Sequence, residues 1–224
     1  MQYRNELKHV ITPADRAAIC ANLRAVAKLD PHVGAKGYYK IRSLYFDSLT
    51  DKALREKQDG VNEREKFRIR YYDDNTGLIK LEKKVKRGGL GYKVSAPLTK
   101  EEAQKIVDGD LGWMPASGRG VVVELYAKMK CEGLKPKTIV DYERIPFIYA
   151  PGNVRVTMDF NIRTGLNCTD FLNPQCVTVA AGDQNIILEV KWDDYLPGII
   201  RRAVQLDGRR AGAFSKYEAC RIYG

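Results

Sequence analysis

The sequence predicts an α+β fold, in which an antiparallel sheet with one charged face is flanked by amphipathic helices. The clearest sign is residues 66–86, KFRIRYYDDNTGLIKLEKKVK, where charged and apolar residues alternate on both sides of the turn sequence DDNTG. The same alternation recurs in most other strand segments, and segments with helical periodicity lie between them. Because successive strand residues point to opposite sides, each strand would have a charged face and an apolar face.

The first half of the chain alternates between strand and helix signals. Residues 2–11 have a period of two and predict a strand, and residues 12–29 predict a helix with Thr12 as its N-cap. Residues 38–48 predict a second strand, and residues 49–60 predict a short helix that ends at a glycine. The hairpin quoted above follows.

Residues 89–98 indicate a further strand, and residues 99–110 predict a helix. Thr99 and Glu102 have the spacing of a capping box at the start of that helix. The pattern of residues 118–133 fits a helix or a strand, and its length favours a helix.

Three strand segments follow, at residues 135–150, 153–164 and 185–194, with a turn-rich connection over 164–185. Residues 196–223 predict two short helices. No repeat and no obvious linker interrupts the pattern, so residues 1–224 are predicted to form one domain.

Composition limits the class of protein. Hydrophobic residues make up 44% and charged residues 29%, as in ordinary soluble proteins. The net charge of +10 is unusual and predicts an anionic partner, which could be nucleic acid, a lipid surface or a phosphate-rich molecule.

No apolar segment approaches the ~20 residues of a membrane span, and no signal peptide is evident. Five widely spaced cysteines are typical of free thiols in a reducing compartment, so we expect a cytoplasmic protein.

The candidate site consists of charged residues and one tyrosine at alternate positions of the predicted strands. They are Arg4, Glu6, Lys8, Arg68, Arg70, Lys80, Glu82, Lys84, Tyr142, Arg144, Arg155, Asp159, Glu189 and Lys191. One interpretation is an ordinary basic sheet whose polar face meets water. The other is a barrel whose apolar face lies outward under the helices, so that the charges point into a lumen.

The cationic side chains in such a lumen would repel one another unless an anion were bound between them. Arginine binds phosphate oxygens with two hydrogen bonds, and lysine binds them as a point charge. The carboxylates could hold Mg²⁺ or Mn²⁺, which prefer oxygen ligands; they are Glu6, Glu82, Asp159 and Glu189. The residues alone leave both interpretations open.

At these residues the chain resembles the VTC domain, a polyphosphate polymerase domain of the triphosphate tunnel metalloenzymes (the CYTH-like superfamily), in its short stand-alone bacterial form. The resembling segments are RNELKHVI, IRSLYFDS, REKFRIRYY, KLEKKVK, PKTIVDYERIPF, VRVTMDFNIRT, ILEVKW and FSKYEACR. Their order and number, over nearly the whole chain, are more specific than any one of them. The resemblance implies the triphosphate tunnel fold, an antiparallel β-barrel with a basic lumen flanked by helices.

The resemblance also implies a reaction, in which a metal-dependent phosphotransferase moves the γ-phosphate of ATP to a growing inorganic polyphosphate chain with Mn²⁺ or Mg²⁺. The residues that it assigns to the phosphates are Lys8, Arg68, Arg70, Lys80, Tyr142, Arg144, Ser215 and Lys216. It assigns the metal to Glu189. Position on the charged face adds Lys84, Arg155 and Lys191 to the phosphate set, and Glu6 to the metal set. ATP and polyphosphate are the expected partners, nucleic acid is not, and a separate membrane partner stays unidentified.

One departure from the wider superfamily is informative. Its hydrolases and cyclases usually begin with ExExK, whereas this chain has Arg4-Asn5-Glu6-Leu7-Lys8. The replacement of a carboxylate by a cation favours a polymerase over a two-metal hydrolase. A triphosphatase of the same fold and a binding module for polyphosphate without turnover remain as alternatives. A nucleic-acid binder ranks last, because no recognition motif accompanies the charge.

Overall fold

The computed structural model describes residues 4–88, 90–205 and 210–222. Its strands are β1 (Asn5–Ile11), β2 (Lys28–Leu29), β3 (Tyr39–Asp47), β4 (Arg64–Tyr72), β5 (Asn75–Arg87), β6 (Leu90–Leu98), β7 (Lys135–Tyr149), β8 (Val154–Thr164), β9 (Val179–Ala180) and β10 (Ile186–Trp192). Its helices are α1 (Pro13–Val26), α2 (Lys52–Gln58), α3 (Lys100–Asp108), α4 (Gly120–Cys131), α5 (Gly198–Ala203) and α6 (Lys216–Arg221). Two 3₁₀ turns lie at Met114–Ser117 and Pro151–Asn153.

The strands form one sheet with the order β1-β10-β8-β7-β3-β4-β5-β6, to which β2 and β9 add short pairings with β7 and β8. Each pair whose register is described is antiparallel. The predicted α+β class, an antiparallel sheet with flanking helices, is therefore confirmed. The chain divides into two compact units, which we call unit 1 (1–40, 142–162 and 183–215) and unit 2 (41–141, 163–182 and 216–224).

The core of unit 1 lies between its strands and two helices. Ile19 and Leu23 of α1 and Ile200 of α5 are fully buried, together with Leu188 of β10 and Met158 of β8. These apolar side chains alternate along their strands with the charged residues described below. Burial of each such side chain contributes roughly 1.5–3 kcal/mol, so the packing of the helices on the apolar face of the strands stabilises the unit.

Unit 2 has the same arrangement with other helices. Phe67 of β4 and Leu81 of β5 are buried with Ile106 of α3 and with Val122 and Leu125 of α4. In this unit too, helices cover the apolar face of the strands. The sequence prediction of amphipathic helices over an apolar sheet face is confirmed within each unit.

Local signals predicted most boundaries well. The capping box of Thr99 and Glu102 is present, and Thr12 caps α1 in a second capping box whose other member, Asp15, was not predicted. The turn of the β4–β5 hairpin has positive φ values at Asp73 (48°) and Asp74 (58°), as a two-residue hairpin turn of the I′ type requires. Residues 118–133 contain helix α4, as their length indicated.

The predicted C-terminal end of the first helix is wrong. The helix stops at Val26, and Lys28–Leu29 form β2 by pairing with Phe147 and Ile148 of β7. This pairing joins segments more than a hundred residues apart, so the local helical pattern could not indicate it. Residues 2 and 3 of the predicted first strand, Gly89, and residues 206–209 between the last two helices lie outside the described residues.

Among the described residues, none of the helices is both long enough and apolar enough to cross a membrane.

Candidate functional site

The register of β1, β10 and β8 places the predicted charges of unit 1 on one face. Lys8 lies opposite Glu189, and Glu6 lies opposite Lys191. On the other side of β10, Lys191 lies opposite Arg155. Most of the predicted residues of unit 1 are therefore neighbours, and across β1 and β10 each cation faces a carboxylate.

These side chains form an alternating group of charges. The ammonium of Lys8 lies 2.8 Å from Glu6 and 3.9 Å from Glu189, and that of Lys191 lies 3.4 Å from Glu6 and also contacts Glu189. Burial lowers the pKa of Lys8, but the fields of Glu189 and Glu6 outweigh burial, so the net pKa is raised. Lys8 is accordingly a permanent cation at neutral pH.

Arg144 of β7 is held by a carboxylate of β8. Its Nε donates to Asp159 Oδ1 at 2.6 Å and its Nη2 donates to Oδ2 at 2.7 Å, and its guanidinium carbon lies 5.4 Å from the ring centre of Tyr142. Burial disfavours the charged guanidinium, but Asp159 more than compensates, and the pKa of Arg144 rises. Tyr142 and Arg144 are thus neighbours, as predicted, and Asp159 positions the arginine.

Arg155 and Arg4 have partners at the edge of the unit 1 face. Arg155 donates from Nη2 to Asp30 at 3.0 Å and to the hydroxyl of Tyr39 at 2.9 Å. Arg4 donates from Nε to Asp193 at 2.8 Å. The residue that replaces the first glutamate of ExExK therefore forms a partly buried ion pair.

In unit 2 the register of β3, β4 and β5 aligns a second group of predicted residues. Arg68 lies opposite Tyr45 on β3 and opposite Glu82 on β5. Arg70 lies opposite Lys80 on β5. Lys80 is exposed on this face.

Glu82 is the carboxylate around which these cations gather. It is 1% exposed and accepts two hydrogen bonds from Arg68, at 3.0 and 2.8 Å, on one oxygen. Its other oxygen contacts Arg70 at 2.8 Å and Lys93 at 2.9 Å. Burial raises the pKa of Glu82, but Arg68, Arg70 and Lys93 outweigh burial and hold the pKa well below the usual range.

Lys93 of β6 was missed by the sequence analysis. It lies opposite Lys84, and its ammonium reaches Glu82. The alternation of Lys93 with Ser95 in the segment YKVS was the available signal, but the segment contains only one charge.

The charged residues thus form two groups. The unit 1 cluster comprises Glu6, Lys8, Tyr142, Arg144, Asp159, Glu189 and Lys191. The unit 2 cluster comprises Arg68, Arg70, Lys80, Glu82, Lys84 and Lys93.

The two predicted phosphate ligands of the C-terminal region lie at the start of α6. Ser215 belongs to unit 1 and Lys216, the first residue of the helix, belongs to unit 2. The next residue, Tyr217, is buried, and its hydroxyl donates to Asp47 at 2.6 Å. Its ring stacks on Tyr45 at 5.1 Å between ring centres, which anchors α6 to β3.

Glu6 and Glu189 are the carboxylates best suited to a divalent ion. They share the same two lysine neighbours, which places two carboxylate groups in one small region of unit 1. Among the described residues, no group of three or more His, Cys, Asp and Glu side chains is arranged to hold a metal. The donor set therefore fits an ion that takes its other oxygens from phosphate and water, as Mg²⁺ and Mn²⁺ do. Asp159 and Glu82 are already bound by arginine on both carboxylate oxygens.

Both histidines lie away from these clusters. His9 is 3% exposed on the apolar side of β1, opposite Leu188. His32 is exposed, and its Nδ1 lies 2.8 Å from Asp30. His9 therefore points away from the charged face of β1, and His32 is in contact with solvent.

The comparisons with known proteins show the family and the fold of the chain. The family model of the VTC domain matches residues 3–222. No curated protein sequence matches the chain.

Solved structures share the fold at low sequence identity. A "putative adenylate cyclase" from Bacillus halodurans has a TM-score of 0.51 and 13% identity, over 85% of this chain and 80% of that chain. A second "putative adenylate cyclase", from Vibrio parahaemolyticus, has a TM-score of 0.51 and 14% identity, over 97% of each chain. Similarity at this level shows the fold, which is the triphosphate tunnel fold that the sequence resemblance implied. With a family model that extends over almost every residue, the chain belongs to the VTC domain family.

Proposed function

We propose that the protein is a polyphosphate polymerase, which transfers the γ-phosphate of ATP to the end of an inorganic polyphosphate chain with the help of Mn²⁺ or Mg²⁺. The observation that supports this proposal most strongly is the unit 2 cluster, in which Arg68, Arg70 and Lys93 all contact the single carboxylate of Glu82. Lys80 and Lys84 add exposed cations on the same strands. Such an excess of positive charge is compensated by a polyanion.

The residues proposed to bind phosphate are members of the two clusters, Arg155 opposite Lys191, and two residues at the start of α6. They are Lys8, Arg68, Arg70, Lys80, Lys84, Tyr142, Arg144, Arg155, Lys191, Ser215 and Lys216. Arginines held rigidly by carboxylates would present their remaining N–H groups to phosphate oxygens in a fixed orientation. Such positioning lowers the barrier, because the protein does not reorganise during the reaction.

The reaction requires little acid–base chemistry. A terminal oxygen of polyphosphate is already ionised and attacks the γ-phosphorus of ATP, while the bond from that phosphorus to the β-phosphate oxygen breaks and ADP leaves. Charge spreads over the equatorial oxygens of the transferred group, where arginine and lysine stabilise it. The displacement of both histidines from the clusters is consistent with a mechanism that uses no histidine base.

A divalent ion would be held by Glu189 and Glu6 together with phosphate oxygens. When bound, it supplies positive charge that bridges phosphates and stabilises the transferring group. The two lysines that contact these carboxylates, Lys8 and Lys191, would be available to bind phosphate once the carboxylates bind the ion.

Arg4 favours the polymerase over a triphosphatase of the same fold. Because residue 4 is an arginine, the first position of the ExExK motif supplies no carboxylate, and Arg4 itself pairs with Asp193. A second metal ion that activates water would lack this ligand. The described histidines offer no replacement as a base for water.

The test is incubation of the purified protein with ATP, Mn²⁺ and a short polyphosphate primer, followed by gel electrophoresis for polymer and assays for ADP and orthophosphate. The proposal expects a polymer ladder with ADP in matching amount. Arg70→Ala should abolish the ladder, whereas Arg55→Ala on α2, outside both clusters, should leave it unchanged. Release of orthophosphate without polymer would identify a triphosphatase. Binding of polyphosphate without any turnover would identify a binding module.

A further inference from the structure

Lys66 is a cation of β4 that the sequence analysis did not assign to the site. It lies two residues before Arg68, and alternation along the strand puts both on the same face. Its partner across the β4–β5 pair is Lys84. Like charges directly opposite each other destabilise a sheet, and an anion bound at this face would relieve that repulsion.

The ammonium of Lys66 lies on an aromatic surface beside the start of α6. Its Nζ is 5.0 Å from the ring centre of Tyr217, within the range of a cation–π interaction. Because Tyr217 donates to Asp47 and stacks on Tyr45, the ring is fixed. Tyr217 directly follows Lys216, so Lys66 contacts the residue next to a proposed phosphate ligand.

Lys66 is half-buried but accessible. It lines a cavity of about 360 Å³ in unit 2 together with Asp47, Glu65 and Lys83, none of which belongs to the unit 2 cluster. Because the side chain of Lys66 is only partly buried, a phosphate group of a polyanion on the charged face of β4 could approach the ammonium. The cavity also contains carboxylates, so Lys66 is a single contact at the edge of the unit 2 cluster rather than a separate anion site.

Several groups set the charge of Lys66 in the free protein. Burial lowers its pKa to about 8; Arg64 on the same strand and Lys57 of α2 act in the same direction. Asp47 of β3 and Glu218 of α6 oppose this shift, and Lys84 of β5 lies opposite. A bound polyanion would favour the charged ammonium and raise the pKa again.

We propose that Lys66 is a further phosphate-binding residue of the unit 2 cluster and that its binding of polyphosphate is linked to protonation of its ammonium. This inference rests on the proposed function, because it requires that unit 2 binds a polyphosphate chain. It adds a specific consequence, which is that affinity decreases as the pH rises through the pKa of this lysine. Burial also lowers the pKa of Lys93 in the same cluster, against the effect of Glu82, so the comparison with Lys66→Met decides which of the two lysines is responsible.

The test measures the affinity of the metal-free protein for long-chain polyphosphate by titration calorimetry from about pH 7 to about pH 9.5. Internal phosphates of a long chain stay singly ionised over this range. For the wild-type protein we expect affinity to fall by up to about tenfold per pH unit above pH 8, the limit for uptake of one proton. Titrations in buffers with different ionisation enthalpies should show proton uptake directly.

Two substitutions separate this role from a structural one. Lys66→Met should bind more weakly near neutral pH and lose the dependence on pH. Lys66→Arg should bind tightly at every pH without proton uptake, because arginine stays charged. Lys105→Met, an exposed lysine of α3, is the matched control and should behave like the wild type.

Three results would overturn the inference. A wild-type protein that binds polyphosphate with the same affinity at all these pH values would exclude proton uptake. An unchanged pH dependence in Lys66→Met would assign the uptake to another group, even if the substitution altered the melting temperature. No binding of polyphosphate by the wild type would reject both this inference and the proposed function, whereas the first two results reject the inference alone.

Discussion

Arg144 on β7 donates two hydrogen bonds to Asp159 on β8, from Nε at 2.6 Å and from Nη2 at 2.7 Å. Asp159 is fully buried, and Arg144 is nearly so. Two hydrogen bonds to one carboxylate fix the orientation of a buried guanidinium. The third nitrogen of the group can then donate to a ligand. Asp159 therefore fixes the orientation of Arg144, a side chain proposed to bind phosphate.

We predict that Asp159→Asn both destabilises the protein and weakens polyphosphate binding. The substitution leaves a buried arginine without its counter-charge, which costs about 3 kcal/mol. It also frees the guanidinium to rotate, so affinity should fall by at least about tenfold. Urea unfolding and calorimetric titration measure the two effects, with Asp108→Asn at the end of α3 as a surface control. Unchanged affinity in a folded Asp159→Asn protein would contradict the positioning role.

Glu82 should make the stability of the protein sensitive to acid. Its folded pKa is held below the unfolded value by Arg68, Arg70 and Lys93 against the effect of burial. A depressed carboxylate pKa contributes stability that is present above the unfolded pKa and is lost as the pH falls below it. We therefore expect the free energy of unfolding to decrease below about pH 4.

The matched variant for this prediction is Glu82→Gln. Because glutamine does not ionise, its stability should be lower than that of the wild type at neutral pH and should change less between about pH 5 and pH 3. Unfolding by urea at several pH values provides the comparison. Parallel curves for the two proteins would show that other carboxylates account for the acid sensitivity.

Glu189→Gln should separate metal dependence from phosphate binding. Loss of one carboxylate ligand should raise the Mn²⁺ concentration for half-maximal polymer synthesis by at least about tenfold. Metal-free binding of polyphosphate should stay within about threefold of the wild-type affinity, since Lys8 and Lys191 gain freedom to bind phosphate. The opposite pattern, with weaker metal-free binding and an unchanged Mn²⁺ requirement, would remove Glu189 from the metal site.

The cysteines should differ widely in reactivity toward a thiol reagent. Cys131 is exposed, whereas Cys20 and Cys220 are buried, and burial raises the pKa of Cys220 to about 12. Since the thiolate is the reactive form, the folded protein should be labelled first at Cys131. Mass spectrometry after brief labelling checks the site, and Cys131→Ser should lose the fast phase. Rapid labelling of Cys220 before unfolding would contradict the packing of α6.

Much of the fold followed from local patterns. The alternation in β4 and β5, with DDNTG between them, predicted a hairpin, and Thr99 with Glu102 predicted the start of α3. These signals depend on residues at most a few positions apart, and each has a direct physical cause in backbone geometry or capping. The wrong boundary of α1 lies where β2 pairs with distant Phe147 and Ile148.

The partners of the charged residues could not be predicted in the same way. Alternation showed that Arg68, Arg70, Lys80, Glu82 and Lys84 share a face, but not that Lys93 joins them or which cations contact Glu82. A sequence pattern gives the side of a strand on which a residue lies, whereas the register with the neighbouring strand decides which charge it meets.

The sequence by itself determined the alternating faces, the helices that cover the apolar ones, and the family. Only the tertiary structure decided which carboxylates retain arginines, as Asp159 and Glu82 do, and which contact lysines instead, as Glu189 and Glu6 do. It also decided the burial of Lys66 against Tyr217. Ion pairing and pKa depend on distance and on exclusion of water, and both quantities arise only when strands far apart in the chain pack together.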